Sequence, residues 1–238
     1  MSKNNFDTYL EFNLSNLNIS TFNNLNDKVV YFEEKNYKKF FNKDNKEINF
    51  DDFNLVIEEN ILKIEKLTSE FIKDIFLIIE TPQSISIKLS VVKNNEGEEI
   101  NKDDLTYLIQ DSMQQILKFN NNLMIIHTII ENYNLDNKNF KLFPSGIKCK
   151  HFSLDIKFIC FPRKLVNSFE KLFLKKQIVV KKFICANYVK SFESNFFFDN
   201  NCAKGREIVN GLNKQEVVSV PKKIEKIGFF EKLFHFFR

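Results

Sequence analysis

The chain has 238 residues, of which 43% are hydrophobic and 28% charged, and this is the composition of a folded protein rather than a disordered one. The net charge of +4 is small and evenly spread, so the composition does not favour nucleic-acid binding. No apolar run reaches the roughly 18 residues that a membrane-spanning helix needs, and the first residues do not resemble a signal peptide.

Hydrophobic periodicity predicts alternating strands and helices over residues 7–193. Asn49 and Asn101 are each followed by acidic residues, as is typical of helix N-caps, and Pro162 favours a helix start. The predicted strands are 7–13, 17–22, 28–32, 75–79, 84–92, 123–135, 147–161 and 178–185. The predicted helices are 49–73, 101–119, 162–173 and 187–193. The polar stretch 199–223 lacks periodicity and is predicted to be a tether.

The last eleven residues read GFFEKLFHFFR and predict a strongly amphipathic helix. From residue 227 it would be roughly 18 Å long, too short to span a bilayer but suited to lying in its surface. Five basic and two acidic residues give 221–238 a charge of +3, which favours anionic lipid. The predicted membrane-binding residues are Ile227, Phe229, Phe230, Lys232, Leu233, Phe234, Phe236, Phe237 and Arg238. The alternative is that this helix docks on the protein's own core.

Five short motifs stand in a particular order along the chain. They are LEFNLSNL at 10–17, INFDD at 48–52, IHTIIENYNLD at 126–136, FPSG at 143–146 and ANYVKS at 186–191. In this order, and followed by the terminal amphipathic stretch, they resemble the cell-division protein FtsA, a bacterial actin homologue. In that family the corresponding segments are the first phosphate loop, a helix start, two parts of the small subdomain 1C, and the turn after it.

The resemblance implies an α+β fold, in which an incomplete actin-like (ribonuclease-H-like) lobe is joined to an FtsA 1C-like (SHS2) module and a C-terminal amphipathic helix. It divides the chain into four parts. They are a partial subdomain 1A at 1–73, the 1C-like module at 74–186, a remnant helix and polar linker at 187–223, and the membrane-targeting helix at 224–238. The family's second lobe, which carries its adenosine site, has no counterpart here.

Three phosphate-loop positions differ from the family pattern: Asn13 replaces glycine, Leu14 replaces threonine and Asn16 replaces lysine. Because a phosphate cradle needs close backbone approach and a hydroxyl or cation, we expect no ATP binding and no other cofactor. The four cysteines have no metal-site spacing and are expected to be reduced thiols, and no metal is predicted.

The resemblance implies a peripheral adaptor of the division apparatus on the cytoplasmic face of the inner membrane. Its expected partners are anionic lipid and, through the 1C-like module, further copies or later division proteins. Binding to FtsZ is not favoured, since the family's docking surface for it lies in the missing lobe. A PilM-like pilus-assembly adaptor is the alternative.

An enzyme is not predicted. His127 lies in an apolar run with no nucleophile at a recognisable spacing, so a structural histidine is favoured over a catalytic base. Glu96, Glu98 and Glu99 fall in a predicted loop and are expected to be solvated. Lys181 and Lys182 are expected to be exposed charges at a strand edge, where they discourage aggregation.

Overall fold

The computed structural model describes residues 5–13, 16–36, 50–193 and 200–217. Nine strands are seen in these ranges: β1 (Phe6–Phe12), β2 (Asn16–Asn23), β3 (Val29–Asn36), β4 (Asp74–Ile79), β5 (Ile85–Asn94), β6 (Leu123–Leu135), β7 (Lys138–Phe140), β8 (His151–Pro162) and β9 (Val179–Cys185). The same ranges contain five helices: α1 (Phe50–Thr68), α2 (Lys102–Phe119), α3 (Arg163–Leu174), α4 (Ala186–Ser191) and α5 (Asn201–Val209).

The first sheet has the strand order β3-β2-β1-β4-β9. β1, β2 and β3 form an antiparallel meander, whereas β4 runs parallel to β1 and β9 runs parallel to β4. β4 is an unbroken run of apolar residues because it lies in the middle of the sheet with both faces covered. This topology, three antiparallel strands followed by two parallel ones, is the ribonuclease-H-like arrangement that the resemblance implied.

Helices cover both faces of the first sheet. On one face Phe12 packs on Phe53 of α1 and Phe169 of α3, with ring centroids 3.9 and 5.1 Å away. On the other face α5 contacts β1 and β2. Gly205 permits this contact, because a Cβ atom there would lie 2.7 Å from the Cδ1 atom of Ile78. The aromatic and aliphatic side chains between these layers form the larger of two hydrophobic cores.

The second sheet has the strand order β5-β8-β6-β7 and carries α2 on one face. All its strands lie between β4 and α3, so it is an insertion into the first unit. The α2 N-terminus is a capping box: the Asn101 side chain accepts from the amides of Asp103 and Asp104, and Asp104 accepts from the amide of Asn101. A two-residue turn at Asp136 and Asn137, both with positive φ, joins β6 to β7.

The predicted module boundaries differ from the sheet topology. The predicted division placed residues 74–186 in one module, but β4 and β9 at its two ends hydrogen-bond within the first sheet. The inserted sheet therefore runs from β5 to β8. The resemblance placed β4 and β5 in one module, whereas β4 pairs with β1 in the first sheet and β5 pairs with β8 in the second.

The predicted tether at 199–223 is wrong where the structure describes it. Residues 201–209 form α5, in which Cys202 and Ile208 are fully buried. Gly211, with φ near 79°, ends the helix in a Schellman motif, in which the Leu212 amide donates to the carbonyl of Glu207. Tertiary packing holds a helix whose sequence shows only weak periodicity.

Candidate functional site

The three parallel strands β1, β4 and β9 end at the same edge of the first sheet, at Phe12, Ile79 and Cys185. In open α/β sheets ligands bind outside the carboxyl ends of the strands, so this edge is where a site is expected. The predicted degraded phosphate loop, the turn from β1 to β2, lies here. The Glu80 amide, just after β4, donates to the carbonyl of Phe12 at 2.7 Å and fixes the edge.

The turn after β1 uses its own hydrogen-bonding groups. The Asn13 amide donates to the carbonyl of Asn16 at 3.1 Å, and the Asn16 amide donates to the side-chain Oδ1 of Asn13 at 2.6 Å. Residues 14 and 15 lie outside the described residues. A phosphate cradle needs backbone N–H groups that point at the anion, and neither the Asn13 nor the Asn16 amide is available for that purpose.

A polar cavity of about 440 Å³ lies beside this turn, between β1–β3 and the start of α5. Its floor contains Glu11, which is almost fully buried. The Glu11 carboxylate accepts from Asn201 Nδ2 at 2.6 Å and from Asn18 Nδ2 at 2.8 Å. A buried acid held by two amides can orient a neutral or cationic group, but it opposes a phosphate.

The charged groups around this cavity balance one another. Glu11 and Glu34 line it together with Lys190 and Lys204, and Lys190 donates to the carboxylate of Glu80 at 2.8 Å. The described lining therefore carries no net positive charge toward an anion. Among the described residues no group of three or more His, Cys, Asp or Glu side chains is arranged to hold a metal ion.

A second polar cluster joins the two sheets, and we call it the His127 cluster (His127, Lys182, Tyr188, Asn213 and Glu216). His127 on β6 contacts Glu216 at 2.8 Å, and Tyr188 on α4 donates to the same carboxylate at 2.9 Å. Lys182 on β9 donates to it at 3.2 Å. Asn213 donates to the Tyr188 hydroxyl. The side chains of His127 and Glu216 are 0% and 2% exposed.

The proton positions in the His127 cluster follow from its geometry. The Cys185 amide donates to Nε2 of His127 at 2.9 Å, so Nε2 is unprotonated and Nδ1 carries the proton donated to Glu216. Burial lowers the pKa of His127 and keeps the imidazole neutral. Burial acts to raise the pKa of Glu216, but the His127 hydrogen bond, with help from Lys182 and Tyr188, lowers it overall.

The His127 cluster fastens the chain after α5 to the second sheet. The Ile130 amide donates to the carbonyl of Gln215 at 2.9 Å, and the Val217 amide donates to the carbonyl of Thr128 at 2.9 Å. We call residues 213–217 the strap. Both ring nitrogens of His127 and both carboxylate oxygens of Glu216 are hydrogen-bonded to other groups of the protein. This favours a structural role for His127 over a catalytic one.

The residues singled out in the sequence do not come together in one site. Glu96, Glu98 and Glu99 are exposed in the loop between β5 and α2, as expected. Lys181 is exposed, but Lys182 is part of the His127 cluster and not simply an edge charge. All the predicted membrane-binding residues, from Ile227 to Arg238, lie outside the described residues. The four cysteines are buried and free.

Sequence reasoning missed Glu11, Lys190, Asn201 and Glu216. Glu11 alternates with apolar neighbours on β1, a pattern typical of a solvent-facing side chain, but α5 covers this face of the strand. Glu216 lies in the stretch predicted to be a tether. A buried partner for His127 was the available signal, since a histidine inside an apolar run needs one.

No family model matches the chain, and no curated protein matches it. Among solved structures it is similar to the PilM–PilN type IV pilus biogenesis complex, at 6% identity and a TM-score of 0.44, over 77% of this chain and 48% of that one. A Bacteroides thetaiotaomicron protein with an actin-like ATPase fold and unknown function matches at 10% identity and a TM-score of 0.36, over 78% and 54%.

The cytoplasmic domain of EpsL, an inner-membrane component of the type II secretion system of Vibrio cholerae, matches at 8% identity and a TM-score of 0.37, over 80% and 59%. The chain thus spans about half the length of the solved chains it matches. Such distant likeness says nothing of function. No described helix is both long and apolar enough to cross a membrane. The predicted α+β class is confirmed, and the first sheet has the ribonuclease-H-like strand order that the resemblance implied.

Proposed function

We propose that the chain is a non-catalytic, actin-like adaptor that attaches a protein assembly to an anionic membrane surface. The observation that carries the proposal is the edge of the first sheet. There the Asn13 and Asn16 amides bond within the turn, and the buried Glu11 carboxylate, held by Asn18 and Asn201, lines the neighbouring polar cavity. An actin-like lobe arranged in this way serves better as a rigid scaffold than as a nucleotide-driven machine.

Membrane attachment is assigned to the amphipathic segment 224–238. A single apolar helix of this length gives marginal, reversible binding, and self-association would multiply the helices and strengthen attachment steeply. The second sheet offers a surface for such contacts. Its edge strand β5 pairs only with β8 among the described residues and exposes Ile85 and Val92.

The attachment is tested with the full chain carrying Phe230→Glu or Phe234→Glu. We expect either variant to lose binding to anionic vesicles while its melting temperature falls by no more than about 6 °C, because a segment outside the core contributes little to the free energy of unfolding. A large fall in melting temperature would instead show that this segment belongs to the core.

Two protein assemblies are candidates for the one that the adaptor attaches to the membrane. The sequence motifs and the terminal segment favour the cell-division machinery, with later division proteins as partners and FtsZ disfavoured. A pilus- or secretion-type assembly is the second candidate, and the three similar structures include a pilus complex and a secretion component but no protein described as acting in cell division.

A pull-down from vesicles that carry the full chain distinguishes the two assemblies. Division proteins retained on the vesicles would support the first assembly, and components of a pilus or secretion apparatus would support the second. Strong binding to FtsZ would contradict the expectation that this partner is disfavoured.

A further inference from the structure

An open apolar surface lies beside α5. A groove of about 700 Å³ separates α5 from the hairpin of β2 and β3, and we call it the α5 groove. Phe22 forms its floor, and Val29, Ala203 and Leu212 form its apolar walls. Arg206 and Asp27 form an ion pair of 2.7 Å at its rim. The groove therefore offers an apolar trough with little net charge.

The α5 groove exists because α5 covers only part of the sheet. The helix contacts β1 and β2, whereas β3 lies beyond it at the edge. Val29 and Phe32 stand opposite Phe22 and Ser20 in the β2–β3 register, and therefore on the face toward α5. Val29 is 39% exposed, Phe32 52% and Leu212 58%. Apolar side chains exposed together beside a groove mark an interaction surface.

The segment 224–238 can reach this groove. Leu212 lines the groove, and Val217 is the last described residue. Five residues span at most about 18 Å, and the six residues 218–223 span at most about 21 Å. The start of the segment can therefore return to the groove. Its six phenylalanine and leucine residues at 229, 230, 233, 234, 236 and 237 supply an apolar face for an apolar trough.

A nearer apolar stretch, Phe196–Phe198, fits the groove less well. It is joined to Asn200, which lines the groove at the N-terminal end of α5, so it reaches that end first, whereas Leu212 lines the groove beyond the C-terminal end of this nine-residue helix. That distance is about 13 Å at 1.5 Å per residue. Two residues of extended chain cover about 7 Å.

We propose that the α5 groove binds the chain's own segment 224–238 when no membrane is present, so that the membrane-binding face is covered and attachment is autoinhibited. The proposal rests on the proposed membrane role of this segment and adds its regulation. A short tether gives an effective concentration of about 1 mM. A groove that binds the free segment with a Kd of about 100 µM then closes about nine chains in ten and weakens vesicle binding about tenfold.

The test uses the full chain, which contains no tryptophan, so that Phe236→Trp introduces a unique reporter. Without lipid, we expect a blue-shifted emission that moves to the red when Val29→Asp and Leu212→Asp are added. Both positions are exposed, and melting curves check that the chain still folds. Leu62→Asp, at a 67% exposed position on the opposite face of the sheet, is the matched control and should change nothing.

The same proteins are then sedimented with anionic vesicles. The groove variant should bind at about tenfold lower lipid concentration than wild type or the control. A reporter that is already solvent-exposed, as it would be if Phe196–Phe198 filled the groove, overturns the proposal. So does a buried reporter that the groove substitutions do not move, or one whose burial depends on protein concentration, which indicates a second copy.

The two hypotheses fail differently. If the reporter responds as expected but no variant binds vesicles, the groove interaction stands and the membrane role of the segment fails. If vesicle binding occurs but the reporter is exposed in solution, the membrane role stands and the autoinhibition fails.

Discussion

Replacing Glu216 by alanine should release the strap and strongly destabilise the protein. The Glu216 carboxylate receives hydrogen bonds from His127 at 2.8 Å, from Tyr188 at 2.9 Å and from Lys182 at 3.2 Å. Its removal leaves the buried Nδ1–H of His127 and the Tyr188 hydroxyl without this acceptor, at about 1–3 kcal/mol each. Lys182, which is partly exposed, also loses its charged partner, and we expect a total loss of about 3–5 kcal/mol.

Thermal unfolding followed by circular dichroism measures this effect. For a chain of this size 1 kcal/mol corresponds to about 2–4 °C, so the melting temperature should fall by roughly 6–20 °C. Glu131→Ala is the matched control, because Glu131 lies on β6 and pairs with Lys88 at 2.8 Å at the surface. An exposed pair is worth about 0–1 kcal/mol. Equal destabilisation by the two substitutions would refute the central role of the His127 cluster.

Three further predictions follow from the same structure. Acid should destabilise the protein: His127 has a lowered pKa in the folded state, so its contribution is complete above the ordinary value of 6.5 and is lost below it as the unfolded chain takes up a proton. The free energy of unfolding measured in urea should therefore be about 1–2 kcal/mol lower at pH 5 than at pH 7. His127→Gln should reduce this pH dependence. The same pH dependence in wild type and variant would contradict a neutral buried imidazole. Gly205→Ala should lower the free energy of unfolding by about 1–3 kcal/mol, because the new Cβ atom meets the buried Ile78 side chain at 2.7 Å. The melting temperature should fall accordingly, and a rise would show that helix propensity outweighs the crowding. Titration calorimetry with MgATP should give no binding heat, and micromolar affinity would overturn our account of the sheet edge.

The sequence predicted most of the strands and helices because their signals are local. The alternation in β5, the capping box of Asn101 and the apolar run of β4 depend only on neighbouring residues. The positions of Glu11 and Glu216 could not be predicted, since each is buried by an element distant in sequence, α5 or β6. The membership of β4 and β9 in one sheet is likewise a long-range fact.

The helix α5 was not predicted, because its local sequence signals are weak and tertiary packing stabilises it. Its residues include Gly205 and few apolar side chains, so propensity and periodicity both favour a loop. The close approach to Ile78 favours glycine at this position, because a Cβ atom would crowd that side chain. The residue that weakens the isolated helix therefore helps it to pack on the sheet. The buried Glu11 belongs to the same surface, because Asn201 at the start of α5 completes its hydrogen bonds.

Co-sedimentation with anionic vesicles, comparing the full chain with one that ends at Val220, tests the central claim most directly. The account predicts that the full chain pellets and that salt weakens its binding. The shortened chain should stay in solution and remain folded, with a melting temperature lower by about 3–6 °C, because it loses the roughly 1.4 kcal/mol that docking in the α5 groove contributes. If neither chain pellets, even when the full chain also carries the Val29→Asp and Leu212→Asp substitutions that open the groove, the protein is not a membrane adaptor.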